Sequence, residues 1–240
     1  MNYYLPKKSK LLKDFDKTAL LIRDYLVERY GKDLADTLYK ETRQEYEEIL
    51  PYIPHIKGPR ARLLNSFLLI TAQEVAGYKT MKRHGKSPGE AWEICHEGIK
   101  LRMEKFSKLK AWFLRKMMYS NFLMKRFKRR AENSEHLKFG DFEVSYVMGD
   151  GKDFDWGVDY LKCGNYNLAK TLDAEEFAPY VCMSDIALGD AIGWGLTRTQ
   201  TLADGCEYCD FRFKKGSENN ISSKAPEVQK TIERIKKKEA

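Results

Sequence analysis

A change in hydrophobic period near Gly140 constrains this 240-residue chain more than any other feature. Before it, apolar residues recur at three- and four-residue spacings; from Asp141 to Phe213 they alternate, with turn residues between the runs. One kind of element cannot serve both patterns, because side chains return to a face about every 3.6 residues on a helix and every second residue on a strand. The expected fold is therefore α+β, with a helical region over 1–140, an α+β region over 141–215 and a polar tail over 216–240 carrying a short helix.

In the first region Leu20, Leu21, Ile22, Tyr25, Leu26, Tyr30 and Leu34 fit a helix bent near Gly31. Pro51, Pro54 and Pro59 make 51–59 a connector, since each proline removes a backbone donor and restricts its predecessor. A broad apolar stripe resumes over 60–83. Ser87, Pro88 and Glu90 then supply a cap, a first-turn proline and an acid three residues after the cap, a helix start. The stretch that follows runs to Phe127 without proline, too long for one straight helix, so a break is expected near Gly98 or in 107–111.

In the second region Phe142, Val144, Tyr146 and Met148 alternate into the turn Gly149-Asp150-Gly151, and Phe154, Trp156, Val158 and Tyr160 mark a second strand, giving a hairpin. Helical pieces broken around Pro179 come next, and Leu196 to Leu202 with Cys209 to Phe213 make a second hairpin. An antiparallel sheet of about four strands covered by helices follows.

The longest apolar run, Phe67 to Ala72, is far too short to span a bilayer, and no signal-peptide pattern is present. The five cysteines cannot all pair within one chain, so free thiols in a reducing, cytoplasmic setting are expected. The net charge of +8 is local: 100–130 holds twelve Lys or Arg and one acid, Glu104, or +11, so the remainder nets −3. With Phe106, Trp112, Phe113, Phe122 and Phe127 interleaved, Lys100–Arg130 is compatible with peripheral membrane contact or with a solvated face whose aromatics pack inward. No compact recognition signature accompanies it, so no nucleic-acid partner is expected. Nothing in the sequence sets an oligomeric state.

Chemistry-bearing residues concentrate in 155–212. If the second strand continues, Asp155, Asp159 and Cys163 share a face, where carboxylates can orient a water beside a thiol. Cys182 and Asp185 follow on a helical piece; Thr197, Thr199 and Thr201 alternate on the third strand, with Arg198 between them a fork for a carboxylate. Cys206-x-x-Cys209 is compact enough to ligate or exchange, although the long gaps to Cys163 and Cys182 make a required structural zinc unexpected. No dinucleotide or ATP-loop pattern and no H-E-x-x-H occurs, so no metal or cofactor is expected. Cys95, on a helix, reads as packing. The site residues so selected are Asp159, Cys163 and Asp185 for catalysis and Asp155, Cys182, Arg198, Thr199, Thr201 and Cys209 for substrate binding.

Three blocks carry a resemblance: Phe154-Asp155-Trp156-Gly157-Val158-Asp159-Tyr160-x-x-Cys163-Gly164, then Ala178-Pro179-Tyr180-x-Cys182-x-x-Asp185, then Leu196-x-Arg198-Thr199-x-Thr201-Leu202-Ala203-x-Gly205-x-x-x-Cys209-Asp210-Phe211-Arg212-Phe213. Together they resemble the L-2-amino-thiazoline-4-carboxylic acid hydrolase family, in which Cys206 stands where glycine is common. The last hairpin is also similar to small-molecule-binding domains of the four-vinyl-reductase type. The resemblance implies hydrolysis of a small cyclic amidine-like carboxylate to a carbamoylated cysteine, by activated water or by a covalent thiolate. The alternative is a non-enzymatic small-molecule sensor or binding protein.

Overall fold

The computed structural model describes residues 3–58 and 61–239. Its helices are α1 (Lys8–Tyr30), α2 (Lys32–Ile49), α3 (Ala61–Arg83), α4 (Pro88–Glu104), α5 (Lys108–Met118), α6 (Asn121–Glu132), α7 (Gly164–Thr171), α8 (Ala178–Val181), α9 (Asp185–Ile192) and α10 (Pro226–Glu239). The strands are β1 (His136–Phe139), β2 (Phe142–Met148), β3 (Trp156–Lys162), β4 (Leu196–Arg198), β5 (Cys209–Phe213) and β6 (Asn220–Ile221). Contacts divide them into two compact units, Met1–Arg102 with Gly164–Val181, and Met103–Cys163 with Cys182–Ala240.

The first unit is helical. Gly31, at φ 79°, parts α1 from α2, as the bend near that residue anticipated. In the connector, Pro59 and the following Arg60 lie outside the described residues. Ser87 and Glu90 form the reciprocal cap of α4: the Glu90 amide donates to Ser87 Oγ at 3.2 Å and the Ser87 amide donates to Glu90 Oε2 at 3.1 Å. The core gathers on α3, whose Leu68, Ala72, Val75 and Tyr78 are buried, and the later segment returns to it when Phe177 stacks on Tyr78 at 4.5 Å.

The second unit carries a six-stranded sheet in the order β1-β2-β3-β5-β4-β6. The α+β class holds, but the expected four antiparallel strands are corrected to six in a mixed sheet, because β4 and β6 run parallel. The two strands not anticipated are short. β1 has four residues hidden in the polar stretch before Gly140, and β6 has two, too few to show a period. β4 stops at Arg198, so of the three alternating threonines only Thr197 lies in a strand. The long helical stretch breaks at Ser107, as expected, and again at Ser120, whose Oγ accepts from the Leu123 amide at 3.4 Å.

One face of this sheet is apolar and covered. Register pairs Trp156 with Phe213, Val158 with Phe211 and Tyr160 with Cys209, placing all six on the same face. Phe127 of α6 lies against it, 4.6 Å from the rings of both Tyr146 and Trp156. α10 buries Val228, Ile232 and Ile235, so the tail helix contributes to the core. Entry into β4 depends on Gly195: its φ is 65°, and a Cβ there would stand 1.9 Å from the Lys214 carbonyl oxygen. Gly195→Ala is therefore expected to destabilise the chain by about 2–3 kcal/mol or more. Urea unfolding of the variant beside the wild type measures it, and a change within about 0.5 kcal/mol would contradict this account of the turn.

Candidate functional site

The site begins with an irregularity in β3. Val144 pairs with Tyr160 and Glu143 with Lys162, so Leu161 is an extra residue and the strand bulges there. Gly157 and Asp159 point to the face opposite Cys209; the bulge keeps Lys162 on the Glu143 side and turns Cys163 back to the covered face. The expected common face of Asp155, Asp159 and Cys163 is thus broken, since strict alternation holds only while a strand has no insertion.

On the covered face three thiols meet an ion pair. Arg198, ending β4, shares a face with Leu196 and therefore with Phe213, Phe211 and Cys209. Its guanidinium is 1% exposed and lies 5.4 Å from the Phe211 ring. Nη1 donates to Asp185 Oδ2 at 2.5 Å and Nη2 to the Met183 sulfur at 3.7 Å, while Nε has no hydrogen-bond partner among the described residues. Asp185 is the first residue of α9, where the helix N-terminus favours a carboxylate, and Cys182 precedes it on a single helical turn over Cys182–Ser184. Cys209 accepts from the Leu202 amide at 3.2 Å.

The titrations of these groups are coupled. Burial pushes the Cys182 thiol well above its ordinary value against the pull of Arg198, with Cys209, Cys163 and Asp185 adding to the rise. Burial, then Cys163, pushes Cys209 up to about 12. Asp185 is raised by burial and held down by Arg198; its side chain keeps 23% exposure, which moderates the burial effect. Two of the thiols are accordingly protonated at neutral pH, beside a carboxylate held by a buried cation.

The remaining selected residues are engaged elsewhere. Asp159 accepts from Arg212 Nη1 at 2.6 Å on the opposite face, where the Arg212 side chain lies across Gly157. Asp155 accepts from the Lys215 amide at 2.8 Å. Thr199 donates through its hydroxyl to Asp210 at 2.6 Å, and Thr201, fully buried, donates to Asp204 at 3.0 Å and accepts from its amide at 3.1 Å. Cys206 is half-buried, and Cys95 lies in α4 of the other unit, raised by burial beside Glu74. Among the described residues no three His, Cys, Asp or Glu side chains are set to hold a metal ion. Sequence reasoning missed Met183 and Phe211 as walls around Arg198; the alternation of 209–213 already put Phe211 on the Cys209 side.

A family model described as L-2-amino-thiazoline-4-carboxylic acid hydrolase matches residues 66–213. No curated protein and no solved structure matches the chain.

The raised thiols set a pH dependence of stability. An unfolded cysteine ionises near its ordinary value of 9.0, whereas folded Cys209 holds its proton to about 12. Between these values the unfolded state binds fewer protons, so stability is fully present below pH 9 and falls as pH rises through that window. Cys209→Ala is expected to flatten the fall by up to a few kcal/mol, whatever its effect on stability at neutral pH. Urea midpoints from pH 8 upward, compared between the two proteins, test this; parallel slopes would refute it.

Proposed function

Since the chain belongs to the L-2-amino-thiazoline-4-carboxylic acid hydrolase family, we propose that Cys163, Cys182, Asp185, Arg198 and Cys209 form its active site, and that it opens a small cyclic amidine-like carboxylate such as 2-amino-thiazoline-4-carboxylate to a carbamoylated cysteine. The observation that carries this reading is the meeting of three thiols with a buried Arg198–Asp185 pair. Free thiols suit a reducing compartment, and we assign the reaction to the cytoplasm.

In the proposed mechanism Asp185 orients a water and takes one proton as the oxygen attacks the ring carbon between nitrogen and sulfur. The tetrahedral adduct collapses to a carbonyl as the carbon–sulfur bond breaks. Cys182, kept protonated by its surroundings, donates to the departing sulfur and recovers its proton from Asp185. As the carbonyl forms, the hydroxyl proton of the adduct passes to the ring nitrogen, so the two protons of the water finish on that nitrogen and on the sulfur, and the carbon becomes that of a carbamoyl group. Arg198 is too buried to meet the substrate and acts as a positioning residue that keeps Asp185 ionised. Cys163, turned toward the cluster by the bulge, lines the site and is the nucleophile if the reaction runs through a covalent adduct. Asp159, paired to Arg212, supports β3 and β5 from the other face.

Hydrolysis of 2-amino-thiazoline-4-carboxylate by the purified chain is the direct test, and substrate recovered unchanged after prolonged incubation would favour a binding protein instead. Asp185→Asn is expected to lower kcat/KM by about 100-fold or more. Arg198→Lys is expected to lower kcat by about tenfold with little change in KM, since it disturbs the base and not the substrate contacts. In the wild type the acid limb of kcat/KM against pH is expected above the ordinary Asp value of 3.8, because burial raises Asp185. Full activity of Asp185→Asn would remove Asp185 from the mechanism.

A further inference from the structure

α5 turns its aromatic side outward. Leu109, Trp112, Phe113 and Met117 recur at i, i+3, i+4 and i+8 and are all exposed, Leu109 to 73% and Phe113 to 62%, whereas the residue this helix buries is Ala111. Its inner side is held by polar bonds instead: Arg115 donates to the Ile192 carbonyl, and the Tyr119 hydroxyl just beyond the helix donates to the Trp194 carbonyl at 2.6 Å. Leu109, Trp112 and Phe113, with Phe106, Lys110 and Leu114, line an open groove of about 500 Å³. Phe122, at the start of α6, is exposed to 73%. This inverts the usual amphipathic arrangement, and an apolar patch of that kind marks a surface that meets something.

The rim of the patch identifies the partner. Lys105 just before α5, Lys108, Lys110 and Lys116 on it, and Lys125, Arg126, Lys128 and Arg129 on α6 are all exposed, and between Met103 and Arg130 Glu104 is the one acid. The Lys116 ammonium lies 4.4 Å from the Trp112 ring centroid, so cation and aromatic share the same surface. A second copy would bring an equal density of positive charge against this one. A polyanion without an apolar phase would leave Leu109, Phe113 and Met117 in water. An anionic bilayer surface meets both demands, with headgroup charge for the rim and acyl chains for the stripe. We propose that α5 docks flat on a membrane containing anionic lipid, with Trp112 and Phe113 entering the interface and the surrounding lysines at headgroup level. No helix among the described residues is long and apolar enough to cross the membrane, so the contact is peripheral.

Flotation of the full chain with phosphatidylcholine vesicles, and with vesicles carrying about 30% phosphatidylserine, tests the proposal. Binding is expected only to the anionic vesicles, and is expected to weaken about tenfold or more when salt rises from roughly 0.1 M to roughly 1 M. The double variant Trp112→Ser/Phe113→Ser removes surface residues only, so its melting temperature is expected to match the wild type while its vesicle binding drops about tenfold. Absence of flotation at low salt, or equal binding by wild type and double variant, would overturn the proposal. So would a dimer in sedimentation that the double variant dissolves without any vesicle binding, because the stripe would then belong to a second copy.

Discussion

A guanidinium with 1% exposure survives in a protein interior only if its charge is answered where it sits, and Asp185 answers Arg198 at 2.5 Å. The pair joins the end of β4 to the first turn of α9, and through them fixes the chain on both sides. Cys182 lies three residues before the carboxylate, and β5, neighbouring β4, brings Phe211 against the guanidinium and Cys209 to the same face. Breaking such a pair from one side costs about 3–5 kcal/mol, because a charge is left behind without solvent or partner. The ion pair thus ties Cys182, just before Asp185, to the sheet face on which the β3–β5 register and the bulge at Leu161 place Cys209 and Cys163.

The sheet carries a second Asp–Arg pair. Arg212 and Asp159 meet at 2.6 Å on the opposite face, with 19% and 17% of their side chains exposed. Their bond spans adjacent strands across Gly157, where a Cβ would stand 2.6 Å from the Phe211 carbonyl oxygen, so the glycine makes room for the crossing. That pair lies on the face away from Cys209. Nearly the same bond, placed on the covered face, acquires neighbours whose protonation it influences.

What could be read from the sequence follows the length of each signal. The β2–β3 hairpin was legible because Phe142 to Met148 and Phe154 to Tyr160 alternate on either side of a glycine-rich turn, and the start of α4 because Ser87, Pro88 and Glu90 act on backbone groups within one turn. The strands of β1 and β6 were not, since two to four residues carry no period. The grouping of Cys163, Cys182, Asp185 and Cys209 was open to selection by residue type, but its geometry was hidden in the bulge at Leu161. One inserted residue reverses the side on which every later residue of a strand emerges, and only pairing to β2 reveals it. Arg198 stood among threonines as if on a half-exposed strand, and its burial came from α9, which no local pattern near it announces.

The path of the chain has a consequence for its synthesis. Gly164–Val181 is spliced out of the sheet-bearing unit and given to the helical one, where Phe177 completes the stack on Tyr78. On the ribosome the helical unit cannot close when its first hundred residues emerge; it must wait until Met103–Cys163, with the first three strands, has been made. The sheet in turn cannot gain β4 and β5 until after that excursion. Each unit thus spends part of translation incomplete, and the cysteines that bracket the excursion, Cys163 and Cys182, are brought together only once the ribosome has passed both.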